Sequence, residues 1–343
     1  MKSAVALTLS VGLLGGCVTT PPKPKAGAPP HHLEVGFRNP NPQYSSPNRS
    51  SFFWTRRLLA ASVLPDPVVD LPRLDNDGTY LRANGTESTV TWVGHSTLLV
   101  QLEGVNLLTD PQWSRRASPV SFFGPKRFTE PGLRFDDLPH IDLVVISHDH
   151  YDHLDAATVT RLAEVHRPTF FVPLGLKSWF EELGITHVQE MDWWESRSFK
   201  HFTVTAVPAQ HFSGRTPWRR NLTLWAGWVV RGRDKRLYFA GDTGYYEGLK
   251  EIGRRLGPFD LAAIPIAPNL PGAAMRPHHT SPEEALQLLL DVGGKRFIPI
   301  HWGTFHLTEP QDEPIRRVQA EVSRVGVDPD RIWALKHGET RHW

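Results

Sequence analysis

The pattern of hydrophobic and polar positions changes near residue 89 of the chain. From there on, short runs rich in β-branched and aromatic residues alternate with turn residues, which is typical of β-strands. The predicted strands cover residues 89–93, 98–102, 106–109, 143–146, 170–172, 202–207, 223–230, 236–239, 261–265 and 296–300. This succession predicts a fold built around a β-sheet core.

Segments between the later strands have the pattern of helices. They cover residues 156–164, 176–183, 246–256, 282–292 and 314–325. The fourth has a defined start, because Ser281 can cap it, Pro282 suits the first helical position and Glu284 completes a capping box. Successive strands followed by mixed strand–helix units predict a layered α/β (α+β) architecture, with the sheets inside and the helices outside.

The first residues have the features of a targeting segment. Lys2, the apolar run 4–14 and the small residues after it form a secretory signal that is too short to span a membrane. The ending "LGGC" resembles the lipobox of bacterial lipoproteins. Residues 1–17 are therefore predicted to be a lipoprotein signal peptide with Cys17 as the lipidated residue. A plain cleaved signal with an incidental cysteine is the alternative.

A lipid on Cys17 would anchor the mature protein to a membrane leaflet of the bacterial cell envelope. Val18 after the cysteine favours the outer membrane, facing the periplasm. Residues 18–32 are Pro-rich and predict an extended linker. Residues 33–85, with one possible helix at 51–63, are interpreted as an N-terminal extension that packs on the main domain, which is residues 86–343.

Composition limits the function classes. Of 343 residues, 40% are hydrophobic and 22% charged, and the formal net charge is only +2, so nothing indicates a nucleic-acid binder. Cys17 is the sole cysteine, which excludes an internal disulfide and a cysteine-based zinc site. A metal ion in this protein would need histidine and carboxylate ligands.

Titratable side chains follow four of the predicted strands, each at the point where the strand ends. In α/β proteins this edge of the sheet is where sites are built. The candidates are His148, His150, Asp152 and His153 in "SHDHYDHLD", His211 in "PAQHFSGR", Asp242 in "GDTGY" and His301 in "HWGTF". A solvated polar loop is the alternative interpretation of the first stretch, but it does not account for the whole set.

The chemistry of this set suits two metal ions. Imidazole and carboxylate are ligands for zinc, and also for iron or manganese. A single carboxylate such as Asp242 can bridge two ions with its two oxygens, and two such ions can hold a hydroxide and clamp a phosphoryl or acyl oxygen. Neither a phosphate-binding glycine loop nor a G-x-S-x-G motif is present in the sequence, so a serine nucleophile has no support.

The stretch "HDHYDH" resembles the H-x-H-x-D-H signature of the metallo-β-lactamase superfamily, and the later candidates follow in the same order. The resemblance implies an αββα sandwich with a dinuclear site at one edge. It further implies that His148, His150 and His211 hold one ion. Asp152, His153 and His301 would hold the other, with Asp242 as the bridge.

A longer series of motifs resembles the branch that contains N-acylphosphatidylethanolamine-hydrolysing phospholipase D and its bacterial relatives. The motifs are "GFRNPNP", "TWVGHSTLLV", "TDP", "RASP", "GPKRF", "SHDHYDHLD", "MDWWE", "PAQHFSGRT", "AGDTGY", "GPFDLAAIPI", "SPEEA", "HWGTF" and "LKHGE". The resemblance implies a zinc-dependent phosphodiesterase that cleaves phospholipids with a metal-held hydroxide, and a homodimer. Asp152, Asp242 or bulk solvent would accept the water proton, and His279 is a candidate contact of the substrate phosphate.

Three alternatives stay open. A hydrolase of the same fold could act on a lactone or a soluble phosphodiester, or the protein could be a non-catalytic metal-binding lipoprotein of the envelope. Asp110 can either orient a ligand histidine or cap a turn before Pro111. His95 presents a similar choice between supporting the site and supporting the fold.

Overall fold

The computed structural model describes residues 25–41, 71–269, 275–306 and 309–343. The predicted signal peptide and the possible helix at 51–63 lie outside these residues. Among the helices of the described part, none has the length and hydropathy that crossing a bilayer requires.

Two β-sheets form the centre of the domain. Sheet one has seven strands in the order β13-β1-β2-β3-β4-β5-β6, and sheet two has six in the order β12-β11-β10-β9-β8-β7. The strands are β1 (Thr89–Gly94), β2 (Thr97–Leu102), β3 (Val105–Thr109), β4 (Leu143–Val145), β5 (Thr169–Pro173), β6 (Val188–Met191), β7 (Ser196–Phe199), β8 (Phe202–Val207), β9 (Gly227–Arg231), β10 (Arg236–Phe239), β11 (Phe259–Pro265), β12 (Gly294–Ile300) and β13 (Thr340–His342).

Both sheets are mixed. In sheet one the β1–β2 and β2–β3 pairs are antiparallel, whereas β3 to β6 run parallel. In sheet two β7 to β10 are antiparallel, and β10, β11 and β12 run parallel. The parallel strands β4, β10 and β12 each lead into one of the predicted ligand segments.

Helices connect the successive parallel strands from β4 to β6 and from β10 to β12, and two further helices lie outside these connections. The α-helices are α1 (Thr79–Ala83), α2 (Ala156–Val165), α3 (Lys177–Glu182), α4 (Lys250–Leu256), α5 (Pro282–Asp291) and α6 (Glu313–Val325). Helix α5 begins with the predicted capping box: the Ser281 side chain accepts from the Glu284 N–H, and the Glu284 carboxylate accepts from the Ser281 N–H. Such reciprocal bonds satisfy two otherwise orphan N–H groups at a helix start.

The apolar side chains divide into two clusters on opposite faces of sheet one. Leu143 and Val145 of β4 face sheet two in the larger cluster, whereas Val144 faces outward with Val159 and Leu162 of α2. This alternation follows from the two-residue period of a strand. The larger cluster continues through sheet two to α5, so the layers are helix, sheet, sheet, helix. The predicted layered α/β architecture, as an αββα sandwich, is confirmed.

The structure adds and corrects some elements. Strands β6, β7 and β13 and helix α1 were not predicted. The strand predicted at 223–230 begins only at Gly227. The N–H groups of Leu224 and Ala226 donate to carbonyls in the loops that follow β5 and β4 of sheet one, so they cannot pair with a neighbouring strand of sheet two. The helix predicted at 246–256 starts with a 3-10 turn over Glu247–Leu249 before α4.

Described parts of the N-terminal region contact the two-sheet domain. Leu71 lies in the larger apolar cluster, and the Leu74 N–H donates to the His337 carbonyl. The Phe37 N–H donates to the Asn221 carbonyl at 2.8 Å. His31, which the sequence assigned to the linker, is buried against the domain.

Candidate metal centre

All seven predicted ligands meet at one edge of the sandwich. The segment after β4 supplies four of them, and the segments after β8, β10 and β12 supply one each. His301, directly after β12, adopts a left-handed backbone conformation (φ +64°). His95, directly after β1, and Asp110, directly after β3, adopt the same conformation (φ +52° and +34°). Non-glycine residues rarely adopt this conformation, and such strain is concentrated at functional sites.

One group of ligand atoms comes from His148, His150 and His211. The Nε2 atom of His148 lies 2.8 Å from Nδ1 of His150, and Nε2 of His211 lies 3.4 Å from the same atom. The three imidazoles present their nitrogens within the distance that one ion can coordinate. This group has the composition that the family resemblance implied for the first ion.

A second group contains Asp152, His153 and His301, as implied for the second ion. Oδ2 of Asp152 lies 3.5 Å from Nε2 of His153 and 3.4 Å from Nε2 of His301. His95 joins this group, with Nε2 at 3.1 Å from Oδ2 of Asp152. His95 therefore supports the site by holding a predicted ligand.

Asp242 lies between the two groups. Its Oδ2 atom is 3.1 Å from Nε2 of His301 and 3.2 Å from Nε2 of His153. The same oxygen is 3.6 Å from Nε2 of His211 and 3.9 Å from Nε2 of His148. One carboxylate oxygen therefore contacts members of both groups, which is the position a bridging ligand requires.

The donor set fits metal ions. Nε2 of His153, Nε2 of His301 and Oδ1 of Asp242 are buried and make no hydrogen bond among the described residues. Buried polar atoms without partners are costly, so such atoms at one point indicate a site for an ion. Nitrogen and carboxylate oxygen donors are those preferred by zinc and also used by iron and manganese.

Burial sets the protonation of the first group. It lowers the pKa of His148, His150 and His211 below the ordinary histidine value, and for His148 the neighbouring His153 adds to the effect. These imidazoles are therefore neutral near pH 7, which is the form that binds a metal ion.

Carboxylates determine the protonation of the second group. Burial disfavours the charged form of His301, but Asp242 and Asp152 outweigh it and raise its pKa to about 9. The pKa of Asp242 is well below its usual range: burial would raise it, but His153 and His301 lower it more. Cationic charge in this pocket is therefore strongly favoured, whether protons or metal ions carry it.

Asp110 orients the ligands rather than merely capping a turn. Its Oδ2 accepts from Nδ1 of His153 at 2.7 Å, and its two oxygens accept from the N–H and the hydroxyl of Ser147 at 2.6 Å. The Ser147 hydroxyl lies 2.8 Å from Nδ1 of His148. A carboxylate bonded to the far nitrogen of a ligand histidine fixes its tautomer and leaves Nε2 for the metal.

His279 lies at the centre, whereas its neighbour His278 contributes through its backbone. Nδ1 of His279 is 3.7 Å from Oδ2 of Asp242. The carbonyl of His278 is 2.9 Å from Nδ1 of His211. That carbonyl can only accept, so it holds His211 with its proton on Nδ1 and its Nε2 lone pair toward the metal position.

Sequence reasoning missed Asn39, although its motif "GFRNPNP" was noted. Oδ1 of Asn39 accepts from the His211 N–H at 2.9 Å, and both residues are buried. The N-terminal region thereby holds the backbone of a predicted ligand. This hydrogen bond could not be predicted from a local sequence pattern, because 172 positions separate Asn39 and His211.

A cleft of about 300 Å³ borders the ligand-bearing segment after β4. Its lining includes basic and apolar side chains, namely Arg115, Arg116, Arg215, Val120, Tyr151 and Leu154, together with serines and the carboxylate of Asp155. The Arg215 guanidinium donates to the carbonyls of Asp149 and Leu154, which ties the loop after His211 to the loop that carries the HDHYDH stretch.

Comparison with known proteins agrees with this geometry. The model of the beta-lactamase superfamily domain matches residues 105–302, a range that includes all seven predicted ligands. An N-acyl-phosphatidylethanolamine-hydrolyzing phospholipase D of Caenorhabditis elegans is 44% identical over 265 residues, covering 71% of this chain and 74% of that protein. A UPF0173 metal-dependent hydrolase of Methanopyrus kandleri is 29% identical over 264 residues, covering 73% of this chain and 98% of that protein.

Among solved structures, Igni18, a metallo hydrolase of Ignicoccus hospitalis, matches with a TM-score of 0.56 and 22% identity, covering 75% of this chain and 99% of that chain. At this identity the likeness concerns the fold. The family model spans more than half of the chain, and the ligand positions it includes converge in space. The chain therefore belongs to the beta-lactamase superfamily, in its branch of metal-dependent hydrolases.

Proposed function

We propose that the protein is a zinc-dependent phosphodiesterase of phospholipase D type that hydrolyses N-acylphosphatidylethanolamine-like phospholipids. The observation that carries this proposal is the position of Asp242 Oδ2 between two groups of ligand atoms. Two ions held on either side of this carboxylate would supply the chemistry for hydrolysis of a phosphodiester. The substrate class is supported by the name of the relative that is 44% identical.

His148, His150 and His211 would hold one ion, Asp152, His153 and His301 the other, and Asp242 would bridge them. When bound, the two ions would supply a hydroxide nucleophile near pH 7 and offset charge on the phosphoryl oxygens. Asp152 and Asp242 have pKa values well below the usual range, since His153 outweighs the opposing effect of their burial. Both carboxylates are therefore ionised near pH 7, which is the form that holds a metal ion. The proton that water releases would pass to one of them or to bulk solvent.

His279 is positioned to contact the substrate phosphate. Its ring centroid lies 5.0 Å from that of His211 and 5.2 Å from that of His301, so it faces both ligand groups. An imidazole there can donate a hydrogen bond to a phosphoryl oxygen or a proton to the leaving alkoxide. The arginines of the adjoining cleft suit an anionic headgroup, and Val120 and Leu154 suit an acyl chain.

The cellular setting is part of the proposal. A lipid on Cys17 would hold the enzyme at a leaflet of the bacterial envelope, on the periplasmic side of the outer membrane, where its substrate would be present. The Pro-rich residues 18–32 would separate the anchor from the domain. We also propose a homodimer, by analogy with the phospholipase branch.

Product identification tests the activity. The zinc-loaded protein is incubated with N-acylphosphatidylethanolamine in mixed micelles, and products are identified by mass spectrometry. We expect phosphatidic acid and an N-acylethanolamine from the wild type, and almost none from Asp242→Asn. Asp136→Asn is the matched control, because this carboxylate is exposed and remote from the ligands.

Other outcomes separate the parts of the proposal. Full activity of Asp242→Asn would contradict the bridged dinuclear centre. No product from a wild type that binds two more zinc ions than a variant lacking the centre's histidines would keep the centre and exclude this substrate. Lactones and soluble phosphodiesters, assayed in parallel, would then identify the alternative activity.

A further inference from the structure

A second cluster of possible metal ligands lies outside the catalytic centre. Nε2 of His31 is 2.6 Å from Oδ1 of Asp192, and Nε2 of His32 is 2.8 Å from Oδ2 of the same carboxylate. The three side chains present their donor atoms within reach of a single ion. None of the three residues belongs to the dinuclear centre.

The cluster is formed by two segments that are distant in sequence. Asp192 directly follows the edge strand β6 and begins the loop that leads to the edge strand β7 of the other sheet. His31 and His32 belong to the segment 31–41, which we call the N-terminal strap. About 160 positions separate the two sides of the cluster, so a bond between them closes a large loop.

The surroundings hold these side chains in place. The His31 ring stacks on Trp193 with centroids 4.2 Å apart, and the His32 ring packs edge-on against Phe37 at 5.1 Å. The Trp193 N–H donates to Oδ1 of Asp192 at 2.7 Å. The side chains of His31, His32 and Asp192 are only 10%, 17% and 15% exposed. Such a pocket is preorganised, and the partial exposure of its three side chains keeps it in contact with solvent.

The donor atoms have the chemistry of a transition-metal site. Two imidazole nitrogens and a carboxylate match ligand sets of Zn²⁺, Ni²⁺ and Cu²⁺. Ligands about 2.0 Å from a tetrahedral ion are about 3.3 Å apart, so these side chains need to open by less than about 1 Å. The proposed catalytic ligands are equally close before opening, with Nε2 of His148 at 2.8 Å from Nδ1 of His150.

We propose that His31, His32 and Asp192 form a structural site for one divalent transition-metal ion, with water completing its coordination. The ion would fasten the N-terminal strap to the loop between the two sheets. The same strap carries Asn39, which holds the His211 N–H. Occupancy of this site would therefore stabilise a segment that supports the catalytic centre, and it does not depend on which substrate the enzyme cleaves.

Zinc counting tests this site. The full chain is equilibrated with buffered Zn²⁺, and bound zinc per chain is measured by mass spectrometry of the element. We expect His31→Gln/His32→Gln to bind one zinc fewer than the wild type. The control His187→Gln/His342→Gln removes two exposed imidazoles elsewhere and should bind as much as the wild type. The result is the difference in bound zinc per chain between the variants and the wild type, and not the total zinc content.

A second measurement, on Asp192→Asn, tests the site in case the His31→Gln/His32→Gln protein folds poorly. Asp192→Asn keeps a side-chain oxygen that can accept from Trp193 and from one histidine, but it lacks the charge. One equivalent of Cu²⁺, which binds nitrogen and oxygen sites more tightly than Zn²⁺, is added to wild type that holds two zinc ions per chain. It should give an electron paramagnetic resonance signal with coupling to two nitrogens, and the signal should be absent in Asp192→Asn. Equal zinc in wild type and His31→Gln/His32→Gln, or the same copper signal in Asp192→Asn, would show a hydrogen-bonded clamp without a metal and overturn the proposal.

Discussion

Nδ1 of His153 donates a hydrogen bond to Oδ2 of Asp110 at 2.7 Å, and both side chains are completely buried. Because the other nitrogen of His153 points toward Asp242, this one bond connects a buried carboxylate to the proposed metal position. Asp110 also reaches His148 through the Ser147 hydroxyl. A single acidic side chain thus orients one histidine in each ligand group.

Replacing Asp110 by Asn should therefore weaken metal binding without removing a ligand. The amide is nearly the same size, but its NH₂ group cannot accept from His153 or from Ser147. Loss of such a carboxylate typically lowers metal affinity about 10–100-fold. Zinc affinity measured by chelator competition checks this. Asp142→Asn is the control, since that carboxylate also accepts a backbone N–H but lies away from the centre. Unchanged affinity in Asp110→Asn would contradict the role.

Asn39→Ala tests the link between the strap and His211. The substitution removes the acceptor of the buried His211 N–H, and an unsatisfied buried donor costs about 1–3 kcal/mol. We expect zinc to dissociate faster and the activity to fall, because His211 is free to shift. Asn76→Ala, which also removes a side chain with backbone partners, is the control. Equal zinc dissociation rates in the two variants would argue against a positioning role for Asn39.

The convergence of the seven predicted ligands could be predicted because each follows an apolar run that ends abruptly in titratable residues. Strands that run in the same direction have their carboxyl ends at one edge of the sheet, so residues that follow these strands in the sequence come close together in space. The strands that were missed share one feature: β6, β7 and β13 are all at edges of the sheets. An edge strand has neighbours on one side only, and β7, "SRSF", has exposed residues at three of its four positions. The hydrophobic pattern that reveals central strands is absent there.

The hydrogen bonds that support the predicted ligands were harder to predict than the ligand positions themselves. The bond from His211 to the His278 carbonyl uses a backbone acceptor, which any residue type provides. Asn39 and Asp192 acquire their partners only when the strap lies on the folded domain. The role of Asp110 could not be decided from the sequence, because an aspartate that caps a turn and one that orients a ligand histidine can have the same sequence neighbours.

His279→Gln should reduce catalysis while zinc binding remains. Loss of a group that donates to a reacting oxygen typically costs about 10²-fold or more in rate. We expect kcat/KM to fall accordingly with the zinc content unchanged, because the substitution retains all seven predicted ligands. A lower zinc content would instead place His279, whose Nδ1 lies near His211 and Asp242, among the ligands. His278→Gln is the matched comparison and should lose much less, because its backbone carbonyl still reaches His211. Equal losses in the two variants would remove His279 from the reaction.

Ser281→Ala should destabilise the start of α5. The substitution removes the acceptor for the Glu284 N–H, and loss of such a cap typically costs about 1 kcal/mol of unfolding free energy. Ser281→Thr keeps the hydroxyl and should retain most of the stability. Urea unfolding monitored by circular dichroism gives both values. If Ala and Thr variants were equally stable, the capping box would contribute nothing measurable.

Trp228→Phe should weaken the connection between the sheets. Trp228, in β9 of sheet two, donates through Nε1 to the carbonyl of Ile146, which follows β4 of sheet one. Phenylalanine leaves that buried carbonyl without its donor and leaves space beside it, at a cost of about 1–3 kcal/mol for the unsatisfied group alone. We expect a lower urea midpoint with an unchanged slope.

The same contact should influence the metal centre, because Ile146 directly precedes Ser147 and His148. A looser Ile146 carbonyl gives the ligand segment more freedom, so Trp228→Phe should also release zinc faster. Trp218→Phe is the control: this indole is 79% exposed, and surface substitutions usually change stability by less than about 0.5 kcal/mol. A destabilised Trp228→Phe that keeps wild-type zinc dissociation would show that the hydrogen bond holds the sheets together without holding the ligands.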